Sequence, residues 1–310
     1  MRTIFLIVLS VLMYGNSCSN AEKDTAKEQT SLIVCTTGMI ADLLKNIVGD
    51  KMEVKALMGP GVDPHLYKAT QNDLRLLKDA ELIYVNGLHL EGKMASILEK
   101  FSRTSKVYAV SDFVDSTRLL KDENYSDVKD PHIWFDVSLW ESSISGLVES
   151  LCELDPQYCS TYRANASAYS DSLTQLHGEV KTLISSIPLS KRIMITAHDA
   201  FNYFGRSYNI RVRGLQGIST LSEFGLKDRV ELVNYIVEKQ IPTVFIESSV
   251  SPKNIEAIVE GCRKKGFNVN IGLPLYSDAM GTQDSPDGNY MGMVRANVRN
   301  IVSGLNRDKQ

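Results

Sequence analysis

DPQYCSTYRANASAYSDSLTQLHGEVKTLISSIP, residues 155–188, is the stretch whose reading decides the architecture. Asp155 is a favoured N-cap and Pro156 suits the first helical position. Apolar or small residues then recur at Tyr162, Ala166, Tyr169, Leu173, Leu176, Val180, Leu183 and Ile187, in steps of 4, 3, 4, 3, 4, 3, 4. That spacing predicts one long amphipathic helix, roughly 45 Å from end to end at about 1.5 Å per residue. His177 lies beside the stripe and reads as structural. A helix this long at mid-chain reads as a connecting backbone between two flanking halves.

Both flanks alternate strand and helix signals. Before the helix, strand-like runs at Leu32–Cys35, Glu53–Met58, Ala80–Val85 and Lys106–Val110 are separated by helical patterns at Met39–Val48, Ala69–Leu77 and Leu90–Phe101. After it, strands at Arg192–Thr196, Thr243–Ile246 and Asn268–Ile271 alternate with helices at Leu226–Glu238, Pro252–Cys262 and Met291–Leu305. Strand, turn and helix in repetition imply parallel sheets covered by helices. The expected class is α/β: two lobes of mainly parallel sheet flanked by helices, joined by one long rigid helix. The expected boundaries are residues 31–154 for the N-terminal lobe, 155–188 for the connecting helix and 189–310 for the C-terminal lobe.

The 310 residues suit two domains, and 43% hydrophobic with 23% charged residues is ordinary for a globular chain. A net charge of −3 supplies no global basic field for nucleic acid. Residues 1–17 read as a signal peptide: Arg2, an apolar run from Ile4 to Tyr14, then small residues. The run is about half of the roughly 20 residues a spanning helix requires. Cys18 follows and resembles a bacterial lipoprotein site, although Gly15 stands where an aliphatic residue is usual. The polar tract over residues 18–30 reads as a tether. The expected address is therefore extracytoplasmic, in a periplasm or on the outer face of the cytoplasmic membrane, anchored through lipid on Cys18. Four further cysteines remain, and Cys152 and Cys159 flank a turn at Asp155-Pro156 where they could meet. Spacing cannot choose among the three possible full pairings.

Four of the five histidines stand beside turn or strand-end signals: His65, His89, His132 and His198. In open α/β sheets, ligands bind beyond the carboxyl ends of strands, where residues distant in sequence converge. His65, His132 and His198 are candidate metal ligands on that ground, with Asp278 after the last predicted strand as a fourth. Three imidazoles and one carboxylate suit a borderline transition metal. Two ligands would come from each half, placing the ion in the cleft between them. No local metal motif such as HExxH is present, so for any single histidine a structural role stays open.

Residues Gly59-Pro60-Gly61-Val62-Asp63-Pro64-His65-Leu66-Tyr67, Asp130-Pro131-His132-Ile133-Trp134 and Ala197-His198-Asp199-Ala200-Phe201 resemble the three histidine motifs of the bacterial zinc/manganese solute-binding proteins of ABC importers. Some members of that family were first described as lipoprotein adhesins. Asn86-Gly87-Leu88, Leu154-Asp155-Pro156, Glu247-Ser248-Ser249-Val250-Ser251-Pro252 and Tyr290-Met291-Gly292-Met293 also fall where the family pattern has similar residues, so the resemblance spans about residues 31–306. It implies a monomeric receptor that binds a divalent metal through His65, His132, His198 and Asp278, and passes it to a membrane permease driven by an ATPase subunit. His89 matches a non-ligand position. Asp63, Asp199 and Glu247 are candidates for contacting the ligands from behind.

The imidazole-rich set points to Zn2+ as cargo, with Mn2+ as the alternative, since manganese is better served by more oxygen. In the family many manganese receptors have Glu where this chain has His198. The His-rich loop of many zinc receptors is missing from residues 112–131. An enzyme reading finds no Gly-x-Ser-x-Gly elbow, P-loop or Gly-x-Gly-x-x-Gly turn. A zinc-dependent hydrolase would require an open coordination position for water. A surface adhesin is the other rival, and no repeat supports it.

Overall fold

The computed structural model describes residues 31–122, 127–222 and 224–307. The proposed signal peptide, Cys18 and the tether lie outside these residues. In chain order the elements are β1 Leu32–Cys35, α1 Gly38–Val48, β2 Glu53–Ala56, α2 Gln71–Asp79, β3 Leu82–Val85, α3 Ala95–Ser102, β4 Lys106–Ala109, α4 Val137–Ser142, α5 Ile144–Leu154 and α6 Cys159–Ser185, followed by β5 Ile193–His198, α7 Asn202–Tyr208, β6 Arg211–Gln216, α8 Leu226–Lys239, β7 Thr243–Val244, α9 Lys253–Lys264, β8 Asn270–Ile271 and α10 Tyr290–Leu305. Among the described residues, no helix is long and apolar enough to cross a membrane.

The first four strands form one parallel sheet in the order β2-β1-β3-β4. The two central strands are the continuous apolar runs LIVC and LIYV, as expected of strands covered on both faces. The edge strands β2 and β4 carry Lys and Glu and are less buried than the central pair. Beyond α6, β5 pairs with β6 and β7 pairs with β8, both in parallel. The Phe245 N–H donates to the Ile195 carbonyl at 2.8 Å and ties the two pairs together. Among the described residues these strands all pair in parallel, with helices between them, which is the predicted class.

The predicted mid-chain helix is present as α6, 27 residues long, or about 40 Å. Its start differs from the prediction. Asp155 does not cap it; its Oδ2 accepts the Tyr162 hydroxyl at 2.9 Å, and a 3-10 turn over Pro156–Tyr158 precedes the α-helix. The Cys152–Cys159 disulfide closes this corner between α5 and α6. The buried face runs Tyr162, Ala166, Tyr169, Leu173, Leu176, Val180 and Ile184. Leu183, expected on the stripe, is 38% exposed, whereas Ile184 is fully buried. A seven-residue repeat drifts about 20° per heptad around a straight α-helix. Three heptads after Tyr162 the position of Leu183 has rotated about 60° away, and Ile184 takes its place.

Helix α6 packs against α1, α4 and α5 from the preceding segment and against α7 and α10 from the following one. Asn165 donates to the Ile47 carbonyl of α1 at 2.9 Å, and Ser170 to Glu141 of α4 at 2.6 Å. On the other side, His177 Nδ1 meets the Tyr208 hydroxyl of α7 at 3.1 Å, and Glu179 pairs with Arg295 of α10. One apolar core runs continuously through these helices.

Candidate metal centre

One strand end and three loops place the site. After β2 the chain turns at Gly61, whose φ of 70° a side chain would strain. Asp63 Oδ1 then accepts the His65 N–H at 2.9 Å, and its Oδ2 accepts the Thr220 hydroxyl at 2.6 Å. His132 sits in a second Asp-Pro-His turn, with Asp130 Oδ1 accepting its backbone N–H at 2.9 Å. The turn is fixed on both sides: Asn86 donates to the Pro131 carbonyl at 2.9 Å, and the Trp134 indole donates to the Ser277 carbonyl at 3.0 Å. His198 is the last residue of β5, and Glu247 Oε1 accepts the backbone N–H groups of Ala197 and His198 at 2.7 and 3.0 Å. Asp278 follows β8, and its Oδ2 accepts the Ser249 hydroxyl at 3.2 Å.

These four residues, 65, 132, 198 and 278, converge. One potential ligand atom from each lies within 4.8 Å of all the others. The three imidazoles are fully buried and Asp278 is 2% exposed. Asp278 Oδ1 stands 3.5 Å from His132 Nε2, and Oδ2 stands 3.4 Å from His198 Nε2. The ring centroids lie 5.2 to 5.9 Å apart. Both nitrogens of His65, Nε2 of His132, Nε2 of His198 and Oδ1 of Asp278 are buried with no hydrogen-bond partner. Leaving one such group unsatisfied costs about 1–3 kcal/mol, so a whole ring of them is tolerated only for a purpose. Neutral ring nitrogens and a carboxylate oxygen are the donors that a divalent transition metal takes.

Two of the histidines are backed by carboxylates. His132 Nδ1 bonds Asp130 Oδ1 at 2.7 Å. His198 Nδ1 lies 2.6 Å from Glu247 Oε2. Charge follows the same pattern. Burial opposes protonation of His132, but Asp130 and Asp278 outweigh it and raise its pKa. Burial likewise opposes protonation of His198, and Glu247 with Asp278 raises it well above the usual imidazole value. Burial also works against ionised Asp278, yet His198 and His132 hold it well below the usual carboxylate value. His65, without a backing carboxylate, is pushed by burial down to about 3.

Of the residues suggested as supports, Glu247 does back His198. Asp63 serves the backbone of its own loop, and Asp199 Oδ1 accepts the Gly214 N–H at 2.6 Å. His89 is exposed, with a φ of 63°, and lines a cavity of about 650 Å³ that reaches His65. Sequence reasoning assigned no role to Asp130 or to Trp134. The signal for Asp130 was its place two residues before a histidine.

The ZnuA family model, described as zinc-uptake complex component A periplasmic, matches residues 33–304. The chain belongs to this family. Members similar to it include the manganese-binding lipoprotein MntA of Bacillus subtilis (strain 168), 42% identical over 288 residues, covering 93% of this chain and 94% of that one. The zinc-binding protein TroA of Treponema pallidum (strain Nichols) is 43% identical over 296 residues, covering 96% of each chain. The solved structure of periplasmic zinc binding protein TroA from Treponema pallidum superposes with a TM-score of 0.87 at 44% identity, over 90% of this chain and all of that one. Members of this family are metal-binding receptors of transporters, which is not an enzyme class.

Proposed function

We propose that this chain is the extracytoplasmic receptor of an ABC importer, which captures a divalent metal with His65, His132, His198 and Asp278 and delivers it to a membrane permease powered by an ATPase subunit. The observation that carries this reading is the set of buried ligand atoms within 4.8 Å of one another, most of them without a hydrogen-bond partner. Four protein donors leave no coordination position for a reacting water, which suits carriage and not hydrolysis.

The cargo is zinc, on the strength of three imidazoles against one carboxylate. Manganese is the second reading, because relatives named for zinc and for manganese stand at nearly equal identity. The residues before and after α6, 31–154 and 189–310, act as two lobes with the metal between them and α6 as their rigid spine. Residues 1–17 direct export, and lipid on Cys18 holds the receptor at the membrane; the lipoprotein name of a relative at 42% identity supports this.

In capture, the chain's residues do three things. Asp130 and Glu247 hold His132 and His198 with Nε2 turned to the ion. Asp278 offsets part of the ion's charge. The imidazoles give up any protons they carry, so uptake releases protons. Elemental analysis of the mature protein, then competitive titration of the metal-free form, tests the reading. One equivalent of zinc not displaced by excess manganese supports a zinc receptor. Comparable binding of both supports a dual-metal receptor, and binding of neither overturns the proposal.

A further inference from the structure

Asp-Pro-His occurs twice in this chain, at Asp63-Pro64-His65 and Asp130-Pro131-His132. In both, the aspartate Oδ1 accepts the histidine's backbone N–H at 2.9 Å. The two carboxylates then diverge. Asp63 turns its second oxygen to Thr220 and leaves the His65 ring without a partner. Asp130 Oδ1 also bonds the His132 ring at Nδ1, 2.7 Å away, and its Oδ2 accepts the Asn202 amide at 3.1 Å. The same Asn202 amide donates to the Asp199 carbonyl at 3.2 Å, in the turn that follows His198. The next residue, Tyr203, donates its hydroxyl to the Asp130 carbonyl at 2.9 Å, while that hydroxyl accepts the Leu120 N–H at 3.0 Å. Asp130 is 1% exposed.

We infer that Asp130 and Asn202 are positioning residues for metal capture, forming a brace that fixes the His132 ring with Nε2 toward the ion and holds the His132 turn at a set distance from the His198 turn. The inference rests on the receptor reading above. A turn cap alone does not explain the arrangement, because Asp63 caps an identical tripeptide without touching its histidine ring. Each link has one donor and one acceptor. The ring Nδ1–H donates to Oδ1, leaving Nε2 with its lone pair for the metal. The Asn202 NH2 supplies both remaining bonds, so the brace requires a pure acceptor at residue 130. Asparagine there keeps the shape and the backbone cap but sets its own NH2 against that of Asn202, and the brace opens.

The test compares wild type, Asp130→Asn and Asn202→Ala. Zinc affinity is measured by chelator competition, and the exchange rate of the His132 imidazole N–H is followed by NMR in the zinc-loaded protein. Outer-shell partners of metal-bound histidines are typically worth 10- to 100-fold in affinity. Asp130→Asn should lose about that much and speed exchange of the imidazole N–H. Asn202→Ala, which leaves Asp130 in place, should move both readouts the same way by a smaller factor. Melting of the metal-free forms separates these effects from unfolding, and Asn202→Ala carries the test should Asp130→Asn fail to fold. Wild-type affinity and unchanged N–H exchange in Asp130→Asn and Asn202→Ala would overturn the brace. Failure of the wild type itself to bind zinc would instead overturn the receptor reading.

Discussion

Replacing Asp278 with Asn asks how much of the metal affinity resides in one charge. The change keeps volume and one carbonyl oxygen and removes the only anionic ligand. In the metal-free protein, Asp278 lies 3.5 Å from His132 Nε2 and 3.4 Å from His198 Nε2. At an effective dielectric near 20, each such contact with an imidazolium is worth about 5 kcal/mol before desolvation. In the metal-bound protein the same carboxylate faces a dication, so the bound state loses more than the free state. Truncating one partner of a buried charged contact typically costs about 2–5 kcal/mol net. At 1.4 kcal/mol per decade, Asp278→Asn should weaken zinc binding roughly 30-fold to several-thousand-fold. Manganese, the harder ion, should lose more than zinc with the only oxygen donor neutralised. Proton release should fall as well, because His132 and His198 lose a partner that raises their pKa values. Competitive titration at several pH values reads all three effects. Affinity within about threefold of wild type for both metals would refute Asp278 as a ligand, since no buried charge facing a dication is that silent.

Two further outcomes are expected. Because the pKa values of His132 and His198 are raised in the metal-free fold, their ionic contribution is fully present below the usual 6.5 and is lost as pH rises through the folded values. Metal competes with those same protons, so the zinc-induced rise in Tm should grow from pH 6 to pH 8, and a flat calorimetric profile would contradict the assignment of charge. On α6, Ile184→Ala should destabilise the protein by about 2–5 kcal/mol while Leu183→Ala changes it by less than about 0.5 kcal/mol, as read by denaturant unfolding; equal effects would place the buried stripe wrongly.

Much of the architecture was legible because burial imposes periodicity. The central strands are unbroken apolar runs, and α6 carries seven buried positions on one face. Part of what escaped reading carried the same kind of period, as in α5, where Ile144, Leu147, Val148 and Leu151 are buried at helical spacing; the rest had no such signature. β6 is Arg-Val-Arg-Gly-Leu-Gln, a strand bonded to β5 alone, whose arginines and glycine dilute the pattern. α7, at seven residues, is too short for a helical period to stand out. The helical pattern read from Ala69 starts two residues before α2 does, because Thr70 and Asp73 form a capping box that sets the boundary at Gln71.

The site divides along a related line. The candidate ligands were accessible to sequence reasoning because His65, His132 and His198 stand beside turn or strand-end signals; in the structure His198 ends β5, while His65, His132 and Asp278 lie in loops that converge with it. Their supports were not, because a carboxylate's role depends on which way it turns. Asp63 and Asp130 occupy the same tripeptide, and no local rule separates them; the difference comes from Thr220 on one side and Asn202 on the other, each far away in sequence. The consequence is chemical. The His65 ring has no hydrogen-bonded carboxylate and burial lowers its pKa to about 3, while His132 and His198 each have a carboxylate beside the ring that raises theirs. The three imidazoles of the proposed site therefore differ in how readily they hold a proton. In the proposed capture a dication displaces whatever protons His132 and His198 hold, and Asp278, 3.5 and 3.4 Å from their Nε2 atoms, turns from stabilising those protons to stabilising the metal.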